Sequence, residues 1–145
     1  MDAFEAISLP EPSAITGKKL FTPAQANRSL ILVRRIVADI VRAYRRLREL
    51  HEHYQRLDQQ GEIFEAEEVR REYVVLTDQL SDLREELEGV GCELKDFEIG
   101  LVDFPAVRDG REVYLCWKLG EDQVTHWHEV NTGYAGRKPL DGVTA

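Results

Sequence analysis

The chain has 145 residues, of which 43% are hydrophobic and 32% charged, and its formal net charge is −8 at pH 7. This length fits a single domain, and the negative charge argues against general binding to nucleic acid or to an anionic membrane, since both need cations that neutralise phosphate. Two cysteines are too few for a disulfide framework, and no apolar run approaches the roughly 18 residues that span a bilayer, so we expect a cytoplasmic protein.

Residues 1–19 mix prolines and small polar residues with a few apolar side chains and show no sustained periodicity. We interpret them as a loose N-terminal arm without a functional signal.

Residues 20–91 are predicted to form a long antiparallel coiled-coil hairpin of two helices that turns at Gln60 and Gly61. Thr22 to Gln25 has the pattern of a capping box with proline at the first helical position, and Gly61 and Gly91 suit the left-handed residues that end helices. Apolar residues in both stretches alternate at spacings of three and four, which is typical of a coiled-coil seam. Laid antiparallel, they match as Leu30 with Val90, Val33 with Leu87, Val37 with Leu83, Ile40 with Leu80, Tyr44 with Leu76, Leu47 with Tyr73 and Tyr54 with Ala66.

Charge is divided between the two helices, because the first is rich in arginine and the second in glutamate and aspartate. An arginine row can be a nucleic-acid footprint, but the acidic neighbouring helix would repel phosphate. We therefore expect ion pairs between the helices and no nucleic-acid partner.

Residues 92–132 are predicted to form a three-stranded antiparallel β-meander at the open end of the hairpin, which makes the fold class α+β. The strands are placed at residues 99–107, 112–119 and 123–130, with an Asp109-Gly110 turn of type I′ between the first two. Turn lengths then set Phe104 opposite Leu115, and Leu115 opposite Trp127. Other apolar helix residues, such as Ile31 and Leu32, need a further surface, so we expect a homodimer.

The second face of this predicted sheet carries four residues of metal-ligand type. The register sets Asp103, Cys116 and His126 in one row, with His128 diagonal to Cys116. Opposed side chains on adjacent strands lie about 5 Å apart, and imidazole with thiolate suits zinc or another transition metal. A nucleophilic relay needs histidine between the acid and the thiol, whereas here cysteine is in the middle. The alternative is a half-solvated face on which Cys116 is a small buried residue.

Residues 133–145 form an irregular tail. Gly133, Gly136, Arg137 and Lys138 offer backbone amides and cations that suit an anion, although the strand-turn-helix setting of phosphate loops is missing.

The chain resembles a bacterial family known as domain of unknown function 2203, over roughly residues 20–140. The residues that carry the resemblance are Leu20 to Thr22, Lys95 and Asp96, Gly100 to Ala106, Asp109 to Val113, Leu115 to Glu121, Trp127 to Glu129 and Gly133 to Arg137. The resemblance implies a bacterial cytoplasmic protein and brings no activity, cofactor or catalytic residue with it. Because these residues lie mainly in the sheet and tail, it directs attention to the sheet.

Two functional hypotheses follow. The first is a non-enzymatic interaction or adaptor protein, in which the hairpin, as a homodimer, presents its sheet to a protein partner. The second is a metal-dependent regulator or hydrolase that uses Asp103, Cys116, His126 and His128. The first hypothesis is preferred because most residues of the hairpin maintain its seam and offer no pocket, and no residue has the context of a catalytic group.

Overall fold

The structure, a computed structural model, describes residues 19–140 and consists of two long helices followed by a small sheet. The predicted arm at residues 1–19 lies outside the described residues except for Lys19, and so do residues 141–145 of the tail.

Helix α1, Pro23–Gln59, begins with the predicted capping box. The Thr22 hydroxyl accepts a hydrogen bond from the Gln25 amide at 3.1 Å, and the Gln25 side chain accepts one from the Thr22 amide at 2.9 Å. Its 37 residues make a helix about 55 Å long. Pro23 at the first position costs no hydrogen bond, because that amide has no partner within the helix.

Helix α2, Ile63–Val90, returns antiparallel to α1 after a turn at Gly61. Gly61 and Gly91 have φ values of 73° and 113°, as the predicted left-handed helix ends require. The predicted seam forms the helix interface, and its partly buried members are Tyr44, Leu76, Leu83 and Val90. The buried seam residues are Leu30, Val33, Val37, Ile40, Leu47, Tyr54, Ala66, Val69, Tyr73, Leu80 and Leu87. Neither helix of the described residues is long and apolar enough to cross a membrane.

The sheet has five antiparallel strands, so the prediction of three was wrong in number. The strands follow one another in sequence order: β1 Glu93–Asp96, β2 Leu101–Arg108, β3 Arg111–Lys118, β4 His126–Glu129 and β5 Lys138–Pro139. The two extra strands, β1 and β5, are short edge strands. A 3₁₀ turn, Tyr134–Gly136, leads into β5.

The predicted register is confirmed. Phe104 pairs with Leu115 and Leu115 with Trp127. The β2–β3 turn is the two-residue Asp109-Gly110 loop, with positive φ at both residues. The β3–β4 pairing ends at Cys116 and His126, so this connection is longer than predicted although its register is the same.

One face of the sheet packs on α1. Gly100, just before β2, lies against Val37 and Val41, and a Cβ atom there would approach the Val37 side chain to 2.8 Å. Its φ of 73° also favours glycine. Phe97 stacks on Tyr44 with ring centroids 5.4 Å apart. The core is therefore continuous from the helices into the sheet.

The β3–β4 connection is tied to the start of α1 by two polar contacts. The Asn27 side chain accepts a hydrogen bond from the Val124 amide at 2.7 Å, and Arg34 donates to the Asp122 carbonyl at 2.9 Å. These contacts fix the β3–β4 side of the sheet on the first part of α1, and the second face of the sheet is the one turned away from the helices.

Candidate metal centre on the second sheet face

The second face carries the predicted row of polar residues. Asp103 pairs with Cys116 across β2 and β3, and Cys116 pairs with His126 across β3 and β4. His128, two residues further along β4, pairs with Tyr114. Asp103, Cys116 and His128 are buried, so the face is not half-solvated at these positions.

Three of the four predicted ligands converge. One ligand atom from each of Asp103, Cys116 and His128 lies within 4.8 Å of the other two. His126, the directly opposed residue, is not in this group. It is partly exposed at the start of β4, where Nδ1 lies 3.0 Å from the Thr125 hydroxyl. The diagonal histidine, and not the opposed one, therefore completes the cluster.

His128 is fixed through both ring nitrogens. Nε2 lies 2.9 Å from Oδ2 of Asp103, and Nδ1 lies 2.7 Å from the Glu129 carbonyl oxygen. A carbonyl only accepts, so Nδ1 carries a proton and donates, while Nε2 faces the carboxylate. Burial lowers the pKa of His128, but the hydrogen bonds to Asp103 and to the Glu129 carbonyl outweigh burial, and the pKa is raised.

This geometry has two chemical consequences. With both ring nitrogens engaged, His128 has none left to accept a proton from Cys116, so the cluster is not a nucleophilic relay. Conversely, metal-bound histidines commonly donate Nδ1–H to a backbone carbonyl as His128 does, and an ion bound by Nε2 would take the place of the proton that Nε2 shares with Oδ2 of Asp103.

Cys116 lies in the middle of the face as a free thiol. Burial, followed by the negative charge of Asp103, raises the pKa of Cys116 to about 12, although the Arg137 guanidinium beside it acts in the opposite direction. The sulfur is therefore protonated at neutral pH in the absence of a cation. A transition metal that binds here must displace this proton, as it does at other thiolate sites.

The Asp103 carboxylate is only half satisfied. Oδ2 is bonded to His128, but the buried Oδ1 has no hydrogen-bond partner among the described residues. An unpartnered buried carboxylate oxygen is unfavourable, and a cation on this side would remove the cost.

Glu93 adds a buried carboxylate that the sequence interpretation missed. It pairs with Asp103 from β1, and its Oε1 accepts a hydrogen bond from Lys95 Nζ at 2.9 Å. Burial, together with a hydrogen bond to Glu93, raises the pKa of Tyr114 to about 12. Since β1 was not predicted, nothing placed Glu93 on this face. The alternation of Cys92 and Leu94 with Glu93 and Lys95 was the available signal.

The predicted anion-binding segment uses its donors within the fold. The Gly136 amide donates to the Gly133 carbonyl, and the Arg137 amide to the Tyr134 carbonyl, each at 3.1 Å. The Arg137 guanidinium makes a double hydrogen bond to Glu121, at 2.7 and 3.2 Å, and Lys138 lies over the Trp127 ring. Anion binding at these residues stays a prediction, and these contacts compete with it.

Comparison with known proteins places the chain in a family. No curated protein and no solved structure matches it significantly. The sequence profile of one family, the uncharacterized conserved proteins DUF2203, matches residues 19–140. This is the family that the sheet and tail residues resemble. The chain therefore belongs to the DUF2203 family.

Proposed function

We propose that this protein binds one divalent transition-metal ion through Asp103, Cys116 and His128. The convergence of three different ligand types within 4.8 Å, at buried positions on three adjacent strands, carries the proposal. Oδ1 of Asp103 has no hydrogen-bond partner among the described residues, and this supports the proposal independently.

The ligand set fits zinc in chemistry and in size. Thiolate, imidazole and carboxylate are its usual protein ligands, at about 2.0–2.3 Å from the ion, so in a tetrahedral site their donor atoms lie roughly 3.3–3.7 Å apart. The His128 and Asp103 donors are 2.9 Å apart, and the ligand atoms of all three residues lie within 4.8 Å of one another. Shifts of at most about 1–1.5 Å would therefore bring the three atoms to the separations of a tetrahedral site, and three protein ligands leave a fourth coordination position for water or a small ligand.

A structural or metal-sensing role agrees with the burial better than hydrolysis does. Asp103 and His128 are each 2% exposed and Cys116 is 0% exposed. A substrate needs access to the fourth position, whereas a stabilising or sensed ion does not. Two free cysteines, Cys92 and Cys116, suit the cytoplasmic location that we propose for this protein.

The test is metal analysis combined with cobalt substitution. Protein purified without chelator is expected to contain about one ion per chain, and Co²⁺ exchanged into the site is expected to show a thiolate charge-transfer band in the near ultraviolet. Cys116→Ser and His128→Gln should lose both signals.

Two matched variants serve as controls. Cys92→Ser removes the other buried cysteine, and His126→Gln removes the predicted ligand that lies outside the cluster. Both should bind metal as the wild type does, with unchanged circular dichroism. Absence of binding in the wild type after incubation with zinc, or equal binding in all four variants, would exclude the proposal.

The interaction protein expected from the sequence is a second candidate, because large apolar side chains are exposed at the hairpin turn. Ile63 is 72% exposed and Phe64 is 90% exposed. Such adjacent side chains commonly mark a protein contact. A photoreactive amino acid at position 64 should therefore give a covalent adduct in cells, identified by mass spectrometry. Illumination without any adduct would count against this function.

A further inference from the structure

The side of the hairpin that faces away from the sheet is open. Val37, Val41 and Tyr44 of α1 point toward the sheet. An advance of two residues along a helix rotates the side chain by about 200°. Asp39, two residues after Val37, and Ala43, two residues after Val41, therefore lie on the opposite side. With residues of α2 they line a shallow groove of about 550 Å³, whose lining is completed by Arg42, Gln79, Asp82, Leu83 and Glu86. We call this side the outer face.

Near the beginning of α1 the outer face carries an apolar residue between arginines. Leu32 is 45% exposed. Arg28 and Arg35 lie four residues before and three residues after Leu32, and hence on the same side of the helix. Neither arginine forms an ion pair within residues 19–140. Arg28, Leu32 and Arg35 are the base patch; Ile31 lies outside it, in a groove that Arg28 shares with Asp122 and Gln123.

At the hairpin turn, Ile63 and Phe64 are surrounded by negative charge. Glu67 and Glu68 lie three and four residues beyond Phe64, and so project from the same side of α2. With Glu62 and Glu65 they form no ion pair in the part of the chain that the structure describes. Ile63, Phe64 and these four glutamates are the tip patch.

The two patches are complementary but cannot meet within one chain. Both contain exposed apolar side chains, which are flanked by arginines in the base patch and by glutamates in the tip patch. Along α1 they are about 40 Å apart, because roughly 27 residues at 1.5 Å separate Leu32 from the turn. In a two-fold antiparallel pair of hairpins, however, each tip lies over the partner's base, so both contacts form at once and the assembly closes.

We infer that the outer face is a self-association surface, on which the tip patch of one copy packs against the base patch of a second copy in an antiparallel two-fold dimer. The patches supply opposite charges, which fix the antiparallel orientation and disfavour a parallel one. This inference rests on the second candidate function and names a second copy of the chain as the partner. It does not depend on the metal site.

The test is sedimentation equilibrium of the full chain with charge-reversal variants. Arg28→Glu with Arg35→Glu reverses the base patch, and Glu67→Lys with Glu68→Lys reverses the tip patch. Each pair is expected to raise the dimer dissociation constant about tenfold or more, because like charges then face each other at two symmetric contacts. The four changes combined should restore the wild-type constant to within about threefold.

Two further measurements make the outcome unambiguous. Arg45→Glu changes an exposed arginine of α1 that lines a different groove, beside Glu98, and should leave dissociation unchanged. Helix content by circular dichroism should be the same in all variants. A monomeric wild type at every concentration would overturn the inference, and so would a dimer that neither reversal weakens or that the combined variant fails to restore.

The interaction function can fail separately. A monomeric chain that still forms an adduct with another protein through position 64 would overturn the self-association and keep the second candidate function. Absence of any adduct, together with a monomeric chain, would exclude both.

Discussion

The Asp103 and His128 side chains form a charge-assisted hydrogen bond in a buried site. Removing one partner of such a pair leaves the other uncompensated, which costs far more than loss of a surface pair. We expect Asp103→Asn to lower the free energy of unfolding of the metal-free protein by about 3 kcal/mol. Urea denaturation in the presence of chelator measures this change.

The matched control is Asp39→Asn. Asp39 pairs with Arg42 on α1, but both side chains are largely exposed, so the loss should stay below about 1 kcal/mol. Equal effects of the two substitutions would mean that the buried pair adds nothing beyond a surface contact.

Glu121 connects the sheet to the segment before β5. It accepts two hydrogen bonds from Arg137 and one from the Lys118 amide. Burial raises the pKa of Glu121, but the hydrogen bonds from Arg137 and Lys118 outweigh burial and hold it below the ordinary value. A carboxylate with a lowered folded-state pKa stabilises the fold above its unfolded pKa, and this contribution disappears as pH falls through the folded value.

Glu121→Gln should therefore lower the free energy of unfolding by about 1–2 kcal/mol at pH 7. The difference from wild type should shrink as pH falls below about 4.3, the ordinary pKa of glutamate. Urea unfolding at a series of pH values measures it, and Glu85→Gln, at an exposed position of α2 outside the tip patch, is the control with little difference at any pH. A difference for Glu121→Gln that grows on acidification would contradict the assignment.

At the residue scale, the sequence predicted the row of Asp103, Cys116 and His126 with His128 diagonal to Cys116, but it did not predict which of the two histidine side chains approaches Asp103. His126 is directly opposite Cys116 in register, yet it lies at the first residue of β4 and turns toward Thr125. His128 reaches Asp103 across β3 because its Nδ1 is anchored on the Glu129 carbonyl. The register determines which Cα atoms lie in one row. The direction of each side chain depends on its hydrogen bonds, which residue spacing does not predict.

Among the elements, the contact between α1 and the sheet depends on Gly100. A side chain there would have to adopt a left-handed backbone and would also press on Val37 and Leu119, at 2.8 and 2.9 Å. Gly61, at the hairpin turn, has the same φ of 73°, but a Cβ atom there would meet no other atom within 4 Å among the described residues. Comparing substitutions at these two glycines therefore separates the cost of backbone strain from the cost of steric overlap.

Gly61→Ala should cost about 1 kcal/mol, which is the backbone term alone. Gly100→Ala should cost about 3 kcal/mol, since overpacking adds to that term. Thermal and urea denaturation of both variants give the comparison. Equal losses would show that the α1 contact is plastic enough to absorb a methyl group.

The elements that the sequence predicted well are those with strong local periodicity. The hairpin follows from heptads and a capping box, and the β2–β3 pairing follows from Asp109-Gly110 with alternating side chains on either side. β1 was missed because it has four residues, directly after a helix, and pairs through a bulge between Leu94 and Asp96. β5 has two residues, one of them Pro139, so no period exists to detect.

At the scale of the whole molecule, the sheet covers only part of the hairpin. The seam residues Val33, Val37 and Ile40 are 0% exposed, whereas Tyr54 and Leu57, nearer the turn, are each 8% exposed. Gly100, just before β2, packs against Val37 of the first group, while the second group lies nearer the turn than Tyr44 and Arg48, which contact Phe97 and Glu98 before β2. Stability should therefore decline along α1 toward the turn, because segments with fewer buried contacts open at lower cost.

Native-state hydrogen exchange can detect this gradient. The chain should be kept monomeric with Arg28→Glu and Arg35→Glu, so that no second copy protects the tip. We expect the amides of Ile40 and Val41 to exchange only through global unfolding, with the free energy measured by urea. The amides of Tyr54 and Leu57 should exchange through local opening of the turn, at a free energy lower by about 2 kcal/mol or more. Uniform protection along α1 would instead mean that hairpin and sheet open as one cooperative unit, and the turn would then be a rigid extension of the core.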